Sequence, residues 1–170
     1  MADSVLWQIM SEVQRTLREN LTFKAMGDDP IPQIEQEAIR IEKVSVKQRE
    51  HEKVFEYELT PGIIITPPGR VTMPSSEGEN ARDDVHYPLL LQIIDKDNNE
   101  RLTGLRTYLK WQEQIARAFR NQPLPCDPLH VWNARVDYVD VVNEGLWVRH
   151  ELFVTGIEIE FISREVRGLA

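Results

Sequence analysis

The chain has 170 residues, of which 41% are hydrophobic and 28% are charged. This balance is typical of one globular domain and excludes a largely disordered chain, so we expect a single domain over residues 1–170. The formal net charge is −8, with 28 acidic and 20 basic side chains, which argues against a general phosphate-binding surface. No segment approaches the ~20 apolar residues of a membrane helix. Neither a membrane nor specific nucleic-acid binding is therefore expected.

The cysteine content and the N-terminus both bear on the cellular compartment. A single cysteine, Cys126, excludes an intrachain disulfide and a multi-cysteine zinc site. Charged residues interrupt the apolar residues of the N-terminal segment, unlike those of a signal peptide. We expect a protein that stays in a reducing cytosol.

The N-terminal segment predicts an amphipathic helix over residues 3–21. Asp3 or Ser4 can cap its first turn. Apolar residues follow at steps of three and four, namely Leu6, Ile9, Met10, Val13, Leu17 and Leu21. This stripe is predicted to face the core. A connector with one glycine and two prolines follows at residues 22–36.

Strand patterns begin after this connector. Apolar and charged residues alternate over 38–47, with a slip at Lys43 that could be a bulge. A second alternation covers 54–59. Three isoleucines at 63–65 lie between prolines and predict a short strand.

Residues 69–87 predict a long polar loop, because they hold four carboxylates and few apolar residues between two apolar strands. Such loops in compact domains are usually functional or disordered. We predict an arm that orders against a neighbouring subunit, and the alternative is a solvated hairpin tip without a role. The candidate interface residues are Arg70, Val71, Met73, Arg82, Val85 and Tyr87, together with Trp147 further along the chain.

Residues 89–104 can be interpreted in two ways: as a calcium-binding loop, or as a strand that is followed by a turn and a helix. The residues spaced like early calcium ligands are Asp95, Asp97 and Asn99. However, the sixth position is Glu100 instead of glycine, and the twelfth is Arg106 instead of a carboxylate. We therefore predict a strand over 89–94, a turn, and a helix over 102–122.

This second helix has a broad apolar face, made of Leu105, Tyr108, Leu109, Trp111, Ile115, Ala116 and Phe119. Two strands at 130–142 and 151–162 close the chain, joined by a hairpin connection. The first has one predicted apolar face, with Trp132, Ala134, Val136 and Tyr138. In the second, Ile157, Ile159 and Phe161 alternate with Glu158 and Glu160. We expect Trp7 and Trp111 to lie in the core, and Trp147 to be either a core residue or an interface anchor.

These elements predict an α+β fold: an antiparallel or mixed β-sheet with two amphipathic helices packed on one face, plus the long polar loop. The continuous apolar runs at 63–65 and 89–94 predict central strands that are covered on both faces.

No residue pattern indicates catalysis. The histidines show no metal-binding spacing, being scattered as His51, His86, His130 and His150. A glycine-rich phosphate loop and a nucleophile elbow are both absent from the sequence. The acidic cluster at 95–97 is the one candidate for a metal nuclease, and a turn already explains it. We expect no catalytic residue, no metal and no cofactor.

The order of the elements resembles that of the tail terminator (tail completion) proteins of long-tailed bacteriophages. The resemblance covers most of the chain and rests on the segments SVLWQIMSEVQRTL, GIIITPP, HYPLLLQIID, LRTYLKWQEQIARAF, HVWNARVDYVDVV and ELFVTGIEIEFI. Members of that family tend to be a little shorter, and the excess here falls largely at 26–36 and 69–87.

The resemblance implies a non-enzymatic virion protein that is assembled in the cytoplasm of a bacterial host. Such a protein forms a ring, usually a hexamer, at the head-proximal end of the tail tube, where it ends polymerisation of the tube. Its partners would be further copies of itself, the tail tube protein and the head-completion protein of the neck, and DNA would pass through the ring without being bound specifically. Two alternatives stay open: another head–tail joining protein, or a small cytosolic enzyme or regulator with a polar pocket.

Overall fold

The structure is a computed structural model that describes residues 3–42, 61–73, 82–96, 104–125, 130–142, 145 and 152–166. The strand predicted at 54–59, most of the predicted 143–150 connection and the side chains of Trp132 and Trp147 lie outside the described residues.

Helices and strands form an α+β fold with a mixed sheet, as the sequence predicts. In chain order the elements are α1 (Val5–Glu19), a 3-10 turn (Gln36–Ala38), β1 (Ile39–Ile41), β2 (Gly62–Thr66), β3 (Arg82–Lys96), α2 (Leu105–Phe119), β4 (Leu124–Pro125), β5 (His130–Asp140) and β6 (Leu152–Val166). The described strands make one six-stranded sheet in the order β1-β2-β3-β6-β5-β4. The β1–β2 pair is parallel, and every other described pair is antiparallel.

Strands β3 and β6 form the centre of the sheet. Their pairing is unbroken from Arg82 opposite Val166 to Lys96 opposite Leu152. Side chains alternate between the faces of a strand, and the apolar members of this pair follow that alternation. On one face the buried residues are Val85, Tyr87, Leu89, Leu91, Ile93, Phe153, Ile157, Ile159 and Phe161. The central ladder therefore supplies most of the apolar surface on which the rest of the chain packs.

Helix α1 crosses this surface from one edge of the sheet to the other. The Ser4 hydroxyl caps it by accepting a hydrogen bond from the amide of Trp7 at 3.2 Å, which satisfies one free N–H of the first turn. Gln14 and Arg18 donate side-chain hydrogen bonds to the carbonyl of Ile39 in β1, and α1 also contacts β4 at the opposite edge. A helix of 15 residues is about 22 Å long, close to the ~24 Å between the outer strands of a six-stranded sheet.

Helix α2 lies along β6. The ring of Tyr108 stacks on Phe153 with centroids 3.9 Å apart, and Phe119 meets Phe161 edge to face at 5.8 Å. The buried strand residues that touch α1 and α2 belong to one apolar cluster, and they occupy the same face of the sheet. Both helices therefore pack on that face, which we call the helix face.

The opposite face of the sheet, here called the second face, is divided into two parts. At one end its side chains are buried, and these are Ile64, Gln92, Ile94 and Val154. This agrees with the prediction that the central strands are covered on both faces. At the other end the second face carries partly exposed polar pairs, with His86 Nδ1 2.7 Å from Glu160 Oε1 and Arg164 Nε 3.1 Å from Asp84 Oδ1.

The prediction of a polar loop over residues 69–87 is wrong for residues 82–87, which belong to β3. The high polar content of this segment hides an alternation in which Asp84 and His86 lie on the second face while Val85 and Tyr87 enter the core. Cross-strand ion pairing, as between Asp84 and Arg164, makes such polar strand residues favourable. Residues 74–81 of the predicted loop are not among those that the structure describes.

The residues on either side of the calcium-like spacing form a strand and a helix, as predicted. Strand β3 continues to Lys96, and α2 begins at Leu105, while residues 97–103 lie outside the described ranges. The carboxylate of Asp95 is buried and accepts a hydrogen bond of 2.6 Å from the hydroxyl of Tyr108. Asp95 thus joins the end of β3 to the first turns of α2.

The prediction that Trp7 lies in the core is wrong, since its side chain is 48% exposed. Leu109, predicted on the apolar face of the second helix, is 39% exposed, because it lies at the margin of that face. Trp111, in contrast, is fully buried, as predicted, and donates its indole N–H to the carbonyl of Lys24 at 2.9 Å.

A polar clamp fastens the connector before β1 to the start of α2. Arg106 Nε donates to Asp29 Oδ1 at 2.9 Å, and the Thr107 hydroxyl donates to Asp29 Oδ2 at 2.6 Å. The Thr107 oxygen in turn accepts the amide N–H of Met26 at 2.9 Å. The hydrogen bonds from Arg106 and then from Thr107 lower the pKa of Asp29, because they stabilise its charged form.

This clamp predicts an acid-dependent loss of stability. A carboxylate whose pKa is lowered by folding stabilises the fold above its ordinary pKa of about 3.9, and this contribution is lost as the pH falls through the folded pKa. The difference in melting temperature between the wild type and Asp29→Asn should therefore be largest near neutral pH and shrink below pH ~4. Thermal unfolding from pH 2 to 7 measures it, and a difference that does not change with pH would contradict the assignment.

The close packing of the connector against the start of α2 can also be tested at Gly104. A Cβ at Gly104 would overlap Cδ1 of Ile31 and lie 3.1 Å from the ring of Tyr108, whereas a Cβ at Gly69 would meet no atom within 4 Å. We expect Gly104→Ala to lower the free energy of unfolding by about 1–2 kcal/mol through overpacking, and Gly69→Ala to be neutral within ~0.5 kcal/mol.

Chemical denaturation of both variants tests this difference. Adding Ile31→Val, which deletes Cδ1, should reduce the cost of Gly104→Ala in a double-mutant cycle. Equal effects of alanine at the two glycines would show that the close approach at Gly104 does not matter.

Candidate functional site

The predicted interface residues separate into an exposed group and a buried group. Arg70 is exposed, Val71 packs partly against the core cluster, and Met73 is 69% exposed. Val85 and Tyr87 are buried in β3, so their assignment to an interface is wrong: the alternation of the strand turns both toward the helix face. The backbone of Arg82 pairs with Val166, while the side chain of Arg82 is not described.

The polar end of Tyr87 is also satisfied within the fold. Its hydroxyl donates to Glu165 Oε1 at 2.7 Å, and the hydroxyl of Ser163 donates to the same oxygen at 2.8 Å. Burial, followed by the hydrogen bond to Glu165, raises the pKa of Tyr87. These three residues therefore close one end of the core and do not form a reactive site.

The exposed group lies on a short edge beside β3. Thr72 and His86 exchange two backbone hydrogen bonds, of 3.1 and 2.9 Å, in an antiparallel bridge. Since Thr66 pairs with Leu90, the five residues 67–71 oppose only the three residues 87–89. Two of the five are prolines, which have no N–H to donate to a ladder. The chain therefore leaves β3 after Thr66 and rejoins it at Thr72.

Residues on either side of such a bridge direct their backbone groups away from the neighbouring strand. The N–H and C=O groups of Val71 and Met73 therefore point outward from β3, and among the described residues none of them has a hydrogen-bond partner. We call residues 71–73 the 71–73 edge.

A second outward edge lies on β5. Leu124 pairs with Val131, and the amide of Asn121 donates to the carbonyl of Ala134 at 3.0 Å, so the segment after α2 covers β5 as far as Ala134. The carbonyl of Ala134 therefore points away from β6. Because backbone groups alternate in direction along a strand, the N–H and C=O groups of Val136 and Tyr138 point outward as well. Val136 and Tyr138 have β6 as their neighbour on one side only, and no described residue bonds to their backbone groups on the outward side.

Apolar side chains accompany this open backbone. Tyr138 is 47% exposed, Val139 is 56% exposed and Val141 is 48% exposed. On α2, Gln112 donates to the carbonyl of Val141 at 2.9 Å, and the exposed Leu109 lies one turn earlier on the same side of the helix. We call residues 136–141 the β5 edge. An apolar strand edge of this kind favours pairing with another chain.

The opposite edge of the sheet is protected. In β1, the carbonyl of Ile39 accepts hydrogen bonds from Gln14 Nε2 at 3.0 Å and from Arg18 Nη2 at 2.7 Å. Helix α1 therefore caps the short edge strand with its own side chains, a common way of preventing unwanted strand pairing. No described helix residue caps Val136 or Tyr138 in this way.

Sequence reasoning placed Tyr138 on the apolar face of the strand, which is correct, but it did not predict that the end of this face is exposed and so missed the β5 edge. The available signal was the break in alternation in DYVDVV, where apolar residues occupy consecutive positions at the end of a strand. The structure shows a register shift there, between Tyr138 and Asp140, which is typical of a bulge.

The structure also contains a cleft of about 290 Å³ beside the end of α1, lined in part by Arg18, Phe23, Gln33, Glu35 and Gln36. Its polar groups bond to one another or to the backbone: Gln36 Nε2 donates to the Arg18 carbonyl at 3.0 Å, and Gln33 Nε2 donates to Glu35 at 2.8 Å. It lacks the convergent, unpaired polar groups of a ligand site in the part of the chain that is described.

Within the described ranges, no group of three or more His, Cys, Asp or Glu side chains is placed to hold a metal ion. Neither described helix is long and apolar enough to span a membrane.

No protein-family model matches the chain, and no curated protein matches it.

If the β5 edge is a surface for assembly and not a part of the core, its side chains should contribute little to folding. We expect Val139→Thr to change the free energy of unfolding by less than ~0.5 kcal/mol. Val131→Thr, in the same strand but 1% exposed, should cost about 1–3 kcal/mol, because it buries a hydroxyl. Chemical denaturation of the two variants at a low protein concentration tests this, and a large loss from Val139→Thr would place that residue in the core.

Proposed function

We propose that this chain is a non-enzymatic structural subunit that assembles with further copies of itself into a ring, as a phage tail terminator protein does. The observation that carries the proposal is the β5 edge, where outward backbone groups and exposed apolar side chains lie together. In a lone subunit, this combination favours aggregation, whereas in an assembly it is buried.

A ring requires two different surfaces on each subunit, because a head-to-tail contact joins one patch to another patch on the next copy. The β5 edge and the 71–73 edge meet this requirement. They lie on opposite sides of the central strands β3 and β6. A subunit can therefore bind one neighbour on each side at the same time.

The order of the described elements supports the rest of the proposal. An N-terminal helix that packs on a mixed sheet, a second helix, and a final antiparallel strand pair follow one another along the chain. These are the elements on which the resemblance to tail terminator proteins rests. Under this proposal, a ring, usually a hexamer, ends the head-proximal side of the tail tube, with the tail tube protein on one face and the head-completion protein on the other.

The charge of the chain suits this role. Each subunit contributes a formal net charge of −8, and a ring multiplies it by the number of copies. Acidic surfaces repel DNA phosphates, so a channel lined by such subunits lets DNA pass without retaining it.

The purified protein should form rings in negative-stain electron micrographs and should have a multiple of the 19.8 kDa subunit mass in light scattering. Val139→Lys, which puts a charge on the β5 edge, should weaken assembly at least about tenfold, since desolvating an unpaired charge costs more than 1.4 kcal/mol. Its melting temperature at low concentration should stay near that of the wild type.

Trp7→Lys is the matched control, because Trp7 is similarly exposed but belongs to α1 and to neither edge. It should leave the rings intact. A wild-type protein that stays monomeric at high concentration would overturn the proposal. A ring that binds head-completion proteins but neither caps nor shortens tail tubes would favour the alternative of another head–tail joining protein.

A further inference from the structure

We infer that the two open edges are each other's partners: the β5 edge of one copy receives the 71–73 edge of the next copy as an added antiparallel strand. The inference rests on the proposed ring and specifies the contact that builds it. Its occupant is a second copy of this chain.

Backbone groups of the two edges match in number and spacing. On β5 the outward residues are Val136 and Tyr138, and on the other edge they are Val71 and Met73. Each pair is separated by one residue. When Val136 lies opposite Met73 of the neighbouring copy and Tyr138 lies opposite its Val71, all the outward N–H and C=O groups of these residues can form an antiparallel ladder.

Side-chain faces also match across this contact. Thr72 lies opposite His86 and Asp137 lies opposite Glu158, so both belong to the second face. Val71 and Val136 both pack against the cluster on the helix face. In the joined sheet, Asp137 would lie opposite Thr72 of the next copy. The helices of both copies then lie on one side, and neither copy has to turn over.

Strand direction agrees with the same arrangement. The 71–73 edge runs antiparallel to β3, β3 runs antiparallel to β6, and β6 runs antiparallel to β5. The 71–73 edge is therefore antiparallel to β5 within a single copy. A neighbour displaced sideways in the plane of the sheet offers its edge in the direction that antiparallel pairing needs.

Charge complementarity favours this partner over an unrelated strand. Arg70 and Asp137 are both exposed, and within the described residues neither forms an ion pair. In an extended chain, Arg70 lies on the same face as Thr72, two residues away. Because Asp137 faces Thr72 of the neighbour in the proposed register, Arg70 of that neighbour is its diagonal cross-strand partner.

Pairing of β5 with β5 of another copy is the competing arrangement. A two-fold axis at Val136 would place Arg135 opposite Asp137, which is also favourable in charge. However, the amide of Ala134 already bonds to Asn133 Oδ1, and its carbonyl already bonds to Asn121. Tyr138 would then face these occupied groups of Ala134, and only the hydrogen bonds between the two Val136 residues would form. A two-fold axis at Asp137 would pair Val136 with Tyr138 in both directions, but it would place the two Asp137 carboxylates opposite each other, which is unfavourable.

Proline variants test the heterologous contact. Met73→Pro and Tyr138→Pro each remove an outward N–H that bonds to no described residue of the same subunit, and proline is tolerated on a strand edge. Each variant alone should lose ring formation. Mixed in equal amounts, they should form a heterodimer, because the intact β5 edge of Met73→Pro meets the intact 71–73 edge of Tyr138→Pro. Met73→Thr and Tyr138→Thr, which keep the N–H, are the matched controls and should still assemble.

Charge reversal provides an independent measurement. Arg70→Glu and Asp137→Arg should each weaken assembly several-fold, and the double variant should recover it, since the pair is restored with reversed signs. Recovery by Arg135→Asp with Asp137→Arg in its place would identify the β5–β5 arrangement and overturn the inference. Light scattering and native mass spectrometry report the assembled mass in each case.

The outcomes separate this inference from the proposed function. If the wild type forms rings but the mixture of the two proline variants stays monomeric, the pairing of the edges is refuted while the proposed ring is retained. Rings formed by either proline variant alone would do the same. Open filaments of the wild type, with complementation between the prolines, would support the pairing but refute a closed ring. A monomeric wild type would overturn both.

Discussion

The antiparallel ladder between β3 and β6 is the constraint on which the other elements depend. It is unbroken from Arg82 to Lys96, and its alternation assigns every side chain of both strands to a face. One face is apolar over its central part, has polar residues such as Asp95 and Ser163 toward its two ends, and receives both helices. The other face changes from mainly apolar buried residues to partly exposed polar pairs along the same two strands. A register slip of one residue would exchange these faces, so the ladder decides where the core lies.

Helix α1 then makes the two edges of the sheet unequal. Because it crosses the helix face, its C-terminal half reaches β1, where Gln14 and Arg18 cap the carbonyl of Ile39. The short segment after α2 covers β5 only as far as Ala134. Among the described residues, helix side chains thus cap β1 at Ile39, whereas none caps β5 beyond Ala134. The exposed apolar residues of the β5 edge distinguish it from an ordinary solvated strand.

Polar groups at the start of α2 fix the geometry that the apolar contacts leave adjustable. The hydrogen bond from Tyr108 to Asp95 joins the helix to the end of β3, and the clamp of Arg106 and Thr107 on Asp29 holds the preceding connector. Such directional hydrogen bonds select one orientation of the helix among the several that apolar packing alone would allow. Through Gln112, which bonds the carbonyl of Val141, α2 also holds the end of the β5 edge in place.

The amino-acid sequence by itself determined the element types, the α+β class and the apolar alternation of β6, because periodicities of 3.6 and 2 residues are local properties of the chain. It also indicated that residues 89–104 are not a calcium loop. Only the tertiary structure decided that residues 82–87 are strand, since the partners that make their charges favourable, such as Arg164 for Asp84, lie some eighty residues away. Likewise, the exposure of Tyr138 and the burial of Tyr87 depend on where the helices end on the sheet. Strand order and edge protection are long-range properties: the break in alternation in DYVDVV signals an irregular strand end, but it does not tell which edge of the sheet that strand forms.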